Sequence, residues 1–87
     1  MLKIQRSSSS QVIFILSGEM EEEQIAELEA LISSEAKGRR IVLDLKEVTL
    51  VAREAISFLE RCEGDGVVLK NCPTYVREWI ARQRNPN

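Results

Sequence analysis

The strongest pattern of hydrophobic and polar positions lies between Ile41 and Cys62. Four of its first five residues are branched aliphatics, which is typical of a strand buried inside a sheet. Two charged residues and a second apolar run, 48–51, follow before a helical period begins. The apolar positions of that period are Ala55, Phe58, Leu59 and Cys62. We therefore predict a strand over 41–45, then a loop, and then a helix from about Arg53 to Cys62.

Two strands and a helix are predicted before this segment. Residues 2–6 alternate apolar and polar side chains, as a half-buried edge strand does, and 12–16 is a continuous apolar run typical of a central strand. We expect the two to pair as an antiparallel hairpin across a polar turn, Ser7–Ser10. Gly18 is predicted to end the second strand, and the first helix is predicted over Glu19–Ala36. Its apolar stripe consists of Ile25, Leu28, Leu31 and Ile32.

One more strand and one more helix are predicted near the end of the sequence. Residues 67–69 form a short apolar strand after a glycine-rich turn, and the last helix begins near Pro73, whose fixed φ suits a first helical position. The residues predicted to face inward from this helix are Tyr75, Val76, Trp79 and Ile80. Trp79 is expected to be the main bulky anchor of the core.

These elements predict an α/β fold with a four-stranded mixed sheet and three helices. The strands at 12–16, 41–45 and 67–69 are expected to be parallel neighbours, because helices connect them through right-handed crossovers. The strand at 2–6 is expected to be an antiparallel edge strand. The 87 residues are expected to form a single domain over 1–87.

Composition and charge narrow the classes of function. The chain is 44% hydrophobic and 30% charged, which indicates a folded protein, and its net charge of −2 disfavours non-specific binding of nucleic acid. No apolar stretch is long enough to span a bilayer, so we expect no membrane association. A cytoplasmic location with reduced thiols is the default expectation.

The residue types that carry most chemistry are scarce. There is no histidine, and the two cysteines, Cys62 and Cys72, have neither zinc-site nor thioredoxin-type spacing. Asp44, Glu47 and Glu54 are carboxylates near one strand end, but we interpret them as a loop anchor, a solvated charge and a helix-terminus charge. We therefore expect no enzymatic activity, no metal and no cofactor.

The segment that joins the central strand to the second helix resembles the corresponding segment of the STAS domain family, the sulfate transporter and anti-sigma factor antagonist fold. The residues that carry the resemblance before the turn are Asp44, Leu45, Val48, Leu50 and Val51. A second match precedes the first helix: Gly18, Met20 and Glu21. The resemblance covers most of the chain and implies a STAS-like fold. In the family a further strand and helix often follow.

The turn itself departs from the family. Where the family has Asp-Ser-Ser-Gly-Leu, this chain has Ala52, Arg53, Glu54, Ala55 and Ile56. In the antagonists that switch, the second serine is the phosphorylation site, and Glu54 occupies that position here. No phosphorylation site is therefore expected in the turn. The nearest hydroxyl, Ser57, lies about 4.5 Å further along the helix axis than Glu54.

The resemblance implies a non-catalytic protein-interaction module in bacterial regulation, similar to an anti-sigma factor antagonist but without the phosphorylatable serine. The helix tip contacts the partner kinase in the antagonists, so we expect a partner-binding surface there. The residues assigned to it are Glu47, Ala52, Arg53, Glu54 and Ser57. The expected partner is an anti-sigma factor or a kinase-like regulator. The alternative is a self-associating scaffold or assembly domain with no sigma-factor role, which pairs through a sheet edge or the surface of the second helix.

Overall fold

The computed structural model describes residues 2–35 and 37–84, which form four strands and three helices. In chain order the elements are β1 (Leu2–Ser8), β2 (Val12–Met20), α1 (Glu22–Ser33), β3 (Ile41–Val51), α2 (Arg53–Gly64), β4 (Val68–Lys70) and α3 (Thr74–Arg84). The strands form one sheet in the order β1-β2-β3-β4. β1 and β2 are antiparallel, whereas β2, β3 and β4 are parallel. The predicted α/β fold and strand arrangement are confirmed.

The main core lies between one face of the sheet and the three helices. Alternate residues of β2, namely Val12, Phe14 and Leu16, point into it and are fully buried. The buried residues of the helices belong to the same cluster: Leu28, Ala55, Ile56, Phe58, Leu59, Cys62, Val76 and Ile80. α2 occupies the middle of the helical layer, because it contacts both α1 and α3.

The other face of the sheet carries a smaller apolar patch. Ile13 and Ile15 alternate with the core residues of β2 and therefore point away from the helices. Val42 of β3 pairs with Ile13, and Val68 of β4 pairs with Val42. Val42 is buried, the two isoleucines are partly exposed, and Val68 is 41% exposed. These four residues are called the outer sheet patch below.

β3 is longer than predicted, because it continues through the segment expected to be a loop. Its pairing with β2 shifts by one residue twice, between Ile15 and Ser17 and again between Gly18 and Glu19 of β2. Each shift inserts an extra β3 residue, as a β-bulge does. Val48 and Val51 are thereby turned towards the core, and both are only 9% exposed.

The start of α1 also differs from the prediction. Gly18 does not end β2, since the strand continues to Met20. Gly18 adopts a left-handed φ of 99° within the strand. α1 therefore begins at Glu22 rather than Glu19. The N–H of Glu21 donates to Gln24 Oε1 at 3.0 Å, which fixes the first turn of the helix. α1 ends at Ser33, and Ala36, the predicted end, lies outside the described residues.

The inward face of α3 is rotated relative to the prediction. Val76 and Ile80 are buried, whereas Tyr75 is 45% exposed and Trp79 is 46% exposed. The prediction that Trp79 anchors the core is therefore wrong. Because successive helical residues are about 100° apart, positions 75 and 79 lie on one flank of the stripe formed by Val76 and Ile80. Aliphatic side chains hold α3 to the core, and its aromatic side chains face the surface.

Candidate interaction surface

The predicted partner surface centres on the junction between β3 and α2, residues 52–54, which is called the tip below. Ala52 is extended, with φ −71° and ψ 162°, and its N–H donates to the Met20 carbonyl at 2.9 Å. The N–H of Ile56 then donates to the Ala52 carbonyl at 3.0 Å, which closes the first turn of α2. No side chain caps this helix, as expected for an alanine in the capping position. The tip is held to the sheet by its backbone, which leaves its side chains free to contact a partner.

Arg53 and Glu54 are exposed and leave the tip in different directions, about 100° apart around the helix. Arg53 lines a groove between α2 and α3, whereas Glu54 lines a groove between α1 and α2. Within residues 2–35 and 37–84, neither side chain forms an ion pair. The tip therefore presents a positive charge on one side and a negative charge on the other.

The two other predicted charged or hydroxyl residues lie at different distances from the tip. Ser57 is one turn into α2, and its hydroxyl donates a hydrogen bond of 3.3 Å to Gln83 Oε1 on α3. Glu47 is exposed on β3 opposite Ser17 and lies roughly 15 Å before Ala52 along the strand. The structure thus brings four of the five predicted residues together and places Glu47 apart from them.

Asp44 is hydrogen-bonded to a residue further along β3 and to the residue that follows β4 in the chain. Its Oδ1 accepts hydrogen bonds from the backbone N–H of Lys46 and the side-chain amide of Asn71, both at 3.1 Å. The Asn71 hydrogen bond is the main cause that lowers the pKa of Asp44. Asn71 follows β4 with a left-handed φ of 56°. Asp44 therefore ties β3 to the end of β4, in line with the prediction of a loop anchor.

An open groove of about 590 Å³ between α2 and α3 adjoins the tip. Its lining residues are Val51, Arg53, Ile56, Tyr75, Trp79, Arg82 and Gln83, and it is called the aromatic groove below. The guanidinium of Arg82 lies 5.3 Å from the centre of the Trp79 ring, within the range of a cation–π contact. This groove was not predicted from the sequence, because both aromatic residues were expected to lie in the core. The spacing of positions 75, 79 and 82, which share one side of a helix, is the signal that could have found it.

The opposite flank of α3 is bound to α2 by an ion cluster of Glu63, Arg77 and Arg84. Arg77 Nη1 lies 2.9 and 2.7 Å from the two carboxylate oxygens of Glu63, and Arg84 Nη2 lies 2.8 Å from Oε1. Hydrogen bonding from Arg77 is the main cause that lowers the pKa of Glu63. The seven-residue spacing of the arginines places them on one face of α3. Their pairing with Glu63 depends on how the two helices pack, and helix packing cannot be read from the local sequence pattern.

The two cysteines are free thiols in different environments. Cys62 is buried, as predicted, and burial raises the pKa of its thiol to about 11, so the thiol is protonated at neutral pH. Cys72 is partly buried and is also a free thiol. Among the described residues, no group of acidic residues and cysteines is arranged to hold a metal ion.

In the part of the chain that the structure describes, no helix has the length and apolar character needed to cross a membrane.

Comparison with known proteins identifies the fold. No protein-family model and no curated protein matches the chain. Among solved structures, the chain is similar to an uncharacterized protein of the DUF3478 family from Shewanella loihica PV-4, which has a SpoIIAA-like fold. The TM-score is 0.57 at 17% sequence identity, and the match covers 97% of this chain and 77% of that one. The chain therefore has the SpoIIAA-like fold, which confirms the resemblance to STAS domains and anti-sigma factor antagonists at the level of the fold.

Proposed function

We propose that this chain is a non-catalytic protein-interaction module in bacterial regulation, similar in fold to an anti-sigma factor antagonist but without its phosphoswitch. The proposal depends on the geometry of the tip. Arg53 and Glu54 are exposed there, and neither forms an ion pair within the described residues. The backbone hydrogen bond from the Ala52 N–H to the Met20 carbonyl holds the tip to the sheet. Opposite charges on a rigid support give orientation and specificity to a protein contact. The proposed partner is an anti-sigma factor or a kinase-like regulator.

Two environments support the non-catalytic part of the proposal. The Asp44 carboxylate accepts hydrogen bonds from Lys46 and Asn71, which supports a role in tying β3 to β4, and Glu54 is exposed at the tip, which supports a role as a helix-terminus charge. Glu54 also supplies a permanent single charge where the antagonists carry a serine. A phosphoserine has about −1.5 to −2 charges and three acceptor oxygens, so Glu54 imitates it only in part.

The environment of Ser57 supports the absence of the switch. Its hydroxyl is bonded to Gln83 across the α2–α3 contact, one turn away from the tip. We expect a kinase that recognises the tip to leave Ser57 unmodified. Phosphate on Ser57 after incubation with such a kinase would contradict this part of the proposal.

The test of the tip is the double variant Arg53→Glu with Glu54→Arg, which exchanges the two charges and leaves the core unchanged. The regulator is first captured from a bacterial lysate with the unaltered protein and identified by mass spectrometry. We expect the double variant to bind it several-fold to a hundredfold more weakly, with a nearly unchanged melting temperature. The matched control is Glu60→Arg with Arg61→Glu, which makes the same exchange further along α2. Loss of binding in the control, or unchanged binding in the tip variant, would remove the tip from the interface.

Self-association is a second candidate function, and the outer sheet patch favours it. Ile13, Ile15 and Val68 leave apolar surface partly exposed on the face of the sheet opposite the core. If two copies pair through this face, sedimentation should show a concentration-dependent dimer that Val68→Asp abolishes. Monomeric behaviour at all concentrations would exclude this alternative.

A further inference from the structure

We propose that the aromatic groove binds an acidic peptide segment of a partner protein, one that also carries bulky apolar side chains. This inference deepens the proposed function, because it names a second contact surface and the chemistry of the segment that occupies it. It rests on the proposed function only in that the segment belongs to a protein partner. The groove and the tip share Arg53, but the other lining residues of the groove can be tested separately.

The apolar lining of the groove accounts for the bulky side chains of the segment. Tyr75 and Trp79 are 45% and 46% exposed, whereas Ile56 and Val51 beside them are only 6% and 9% exposed. Two half-exposed aromatic rings therefore stand next to an apolar floor. The volume of about 590 Å³ is within the usual size of ligand pockets. Exposed tyrosine and tryptophan in such a setting are typical of residues that dominate binding energy at interfaces.

The charges around the groove account for the acidic character of the segment. Arg53 and Arg82 both line it, and no carboxylate of the described residues pairs with either. The paired arginines of the molecule behave differently, since Arg77 and Arg84 of the same helix share Glu63. Arginine forms strong, oriented hydrogen bonds with carboxylates. The charge of the groove is therefore complementary to aspartate or glutamate side chains supplied from outside.

A second copy of the chain fits the groove less well than a partner segment does. α1 is acidic, but its Leu28 is buried, and Ile25, Leu31 and Ile32 are partly buried against the chain's own core. Only part of their apolar surface is therefore available to another copy. An α1 helix would offer the groove carboxylates with little of the apolar surface that its lining requires.

Nucleic acid also fits less well, although aromatic and arginine side chains can stack on bases. The neighbouring groove between α1 and α2 is lined by Glu22, Glu29 and Glu54, and the whole chain has a net charge of −2. A long polyanion would be repelled by these carboxylates, whereas a short acidic segment can stay within the reach of Arg53 and Arg82. The observations favour a peptide.

Fluorescence titration of the intact protein gives the first test, because Trp79 is the only tryptophan in the chain. The probe is a synthetic tryptophan-free peptide in which glutamate and aspartate alternate with leucine and phenylalanine. We expect it to shift the Trp79 emission to shorter wavelength. We also expect it to bind at least tenfold more tightly than a peptide with lysine at the acidic positions or one with alanine at the apolar positions. Equal binding of the three peptides would overturn the proposal.

Anisotropy of the labelled peptide tests the residues individually. Trp79→Ala and Arg82→Glu should each weaken binding at least tenfold. Val68→Ala removes exposed apolar surface from the outer sheet patch, and Arg61→Glu makes the same charge change on the α1 side of α2, so both controls should bind as the unaltered protein does. Circular dichroism melts establish that each variant is folded. Unaltered affinity in both groove variants, or equal losses in the controls, would overturn the assignment.

Four further outcomes decide between occupants and between the two proposals. Tighter binding of a labelled oligothymidylate than of the peptide would replace the peptide with single-stranded nucleic acid. Self-association that Trp79→Ala removes and the peptide blocks would replace it with a second copy. If Trp79→Ala spares peptide binding while the tip exchange weakens capture of the regulator, the groove proposal fails alone. If Trp79→Ala weakens peptide binding while Glu54→Arg, which changes only the tip residue outside the groove, leaves capture of the regulator unchanged, the groove proposal stands and the tip proposal fails.

Discussion

The two flanks of α3 present the same kind of side chain in opposite circumstances. On one flank, Arg77 and Arg84 share the carboxylate of Glu63 and tie α3 to α2. On the other flank, Arg82 stacks on Trp79 at 5.3 Å beside an open groove. Both flanks adjoin the same stripe of Val76 and Ile80, the two residues of α3 that are buried in the core.

The difference shows which arginines stabilise the fold and which are available to a partner. An arginine paired within the chain contributes to the packing of α2 against α3, and some of its hydrogen-bond donors are occupied by the Glu63 carboxylate. An arginine over an exposed ring leaves its hydrogen-bond donors unused by carboxylates within the described residues. Substitutions in the Glu63 cluster should therefore mainly change the stability of the fold, and substitutions in the aromatic groove should mainly change the binding of a partner.

The most severe test of this comparison pairs Ile80→Ala with Trp79→Ala. Ile80 is 1% exposed, so its truncation should lower the free energy of unfolding by about 2–5 kcal/mol. Trp79 has the larger side chain but is 46% exposed, and its truncation leaves no internal cavity, so we expect the smaller loss of unfolding free energy, about 2 kcal/mol. Urea unfolding followed by circular dichroism measures both, because Trp79→Ala removes the fluorophore. A larger loss for Trp79→Ala than for Ile80→Ala would mean that the tryptophan belongs to the core and the groove is closed.

Most of the fold could be predicted from the sequence because apolar periodicity reports burial directly. The alternation of β2 places Val12, Phe14 and Leu16 in the core, and the stripe of α2 places Leu59 there. The same method failed in β3 after Leu45. Two register shifts change the spacing of its buried residues from two to three, and a strand with that spacing does not show the alternation that identifies strands.

The candidate site could be predicted only where the local sequence pattern decides the backbone conformation. Ala52 and Arg53 begin α2 as expected, because a strand followed by a helical period fixes the tip. The side of α3 that faces inward was predicted wrongly, because the four apolar and aromatic positions of its stripe span more of the helix surface than the core can cover. Packing on α2 and the Glu63 cluster decide which part is buried, and these are tertiary contacts that local pattern does not encode.

A smaller loss of unfolding free energy is expected from Glu63→Gln, which disrupts the ion cluster with Arg77 and Arg84. The glutamine keeps the shape of the side chain but cannot form ion pairs with Arg77 and Arg84. Because the cluster is a two-arginine network and the Glu63 side chain is only 24% exposed, we expect a loss of about 1–2 kcal/mol in unfolding free energy.

The matched control for this variant is Glu29→Gln. Its pair with Arg61 is long, at 3.3 Å, and the two side chains are 51% and 64% exposed, so we expect a loss of at most about 0.5 kcal/mol. Peptide binding in the aromatic groove should be unaffected by either variant. Equal losses of stability in the two variants would mean that the Glu63 cluster adds nothing beyond an ordinary surface pair.

The smallest expected effect is the pH dependence of the contribution that Glu63 makes to the unfolding free energy. In the unfolded chain Glu63 titrates near the ordinary glutamate pKa of 4.5, and in the folded protein Arg77 holds its pKa lower. Between the two values the unfolded state binds more protons, so this contribution to stability rises with pH across that window. It is fully present at neutral pH, begins to be lost as the pH falls below 4.5, and is gone below the folded pKa. Glutamine does not titrate, so the unfolding free energies of the unaltered protein and of Glu63→Gln should differ at pH 7 and converge in acid. A difference that stays constant down to acid pH would show that the variant changes packing rather than charge, and the contrast between the two flanks of α3 would then not be electrostatic.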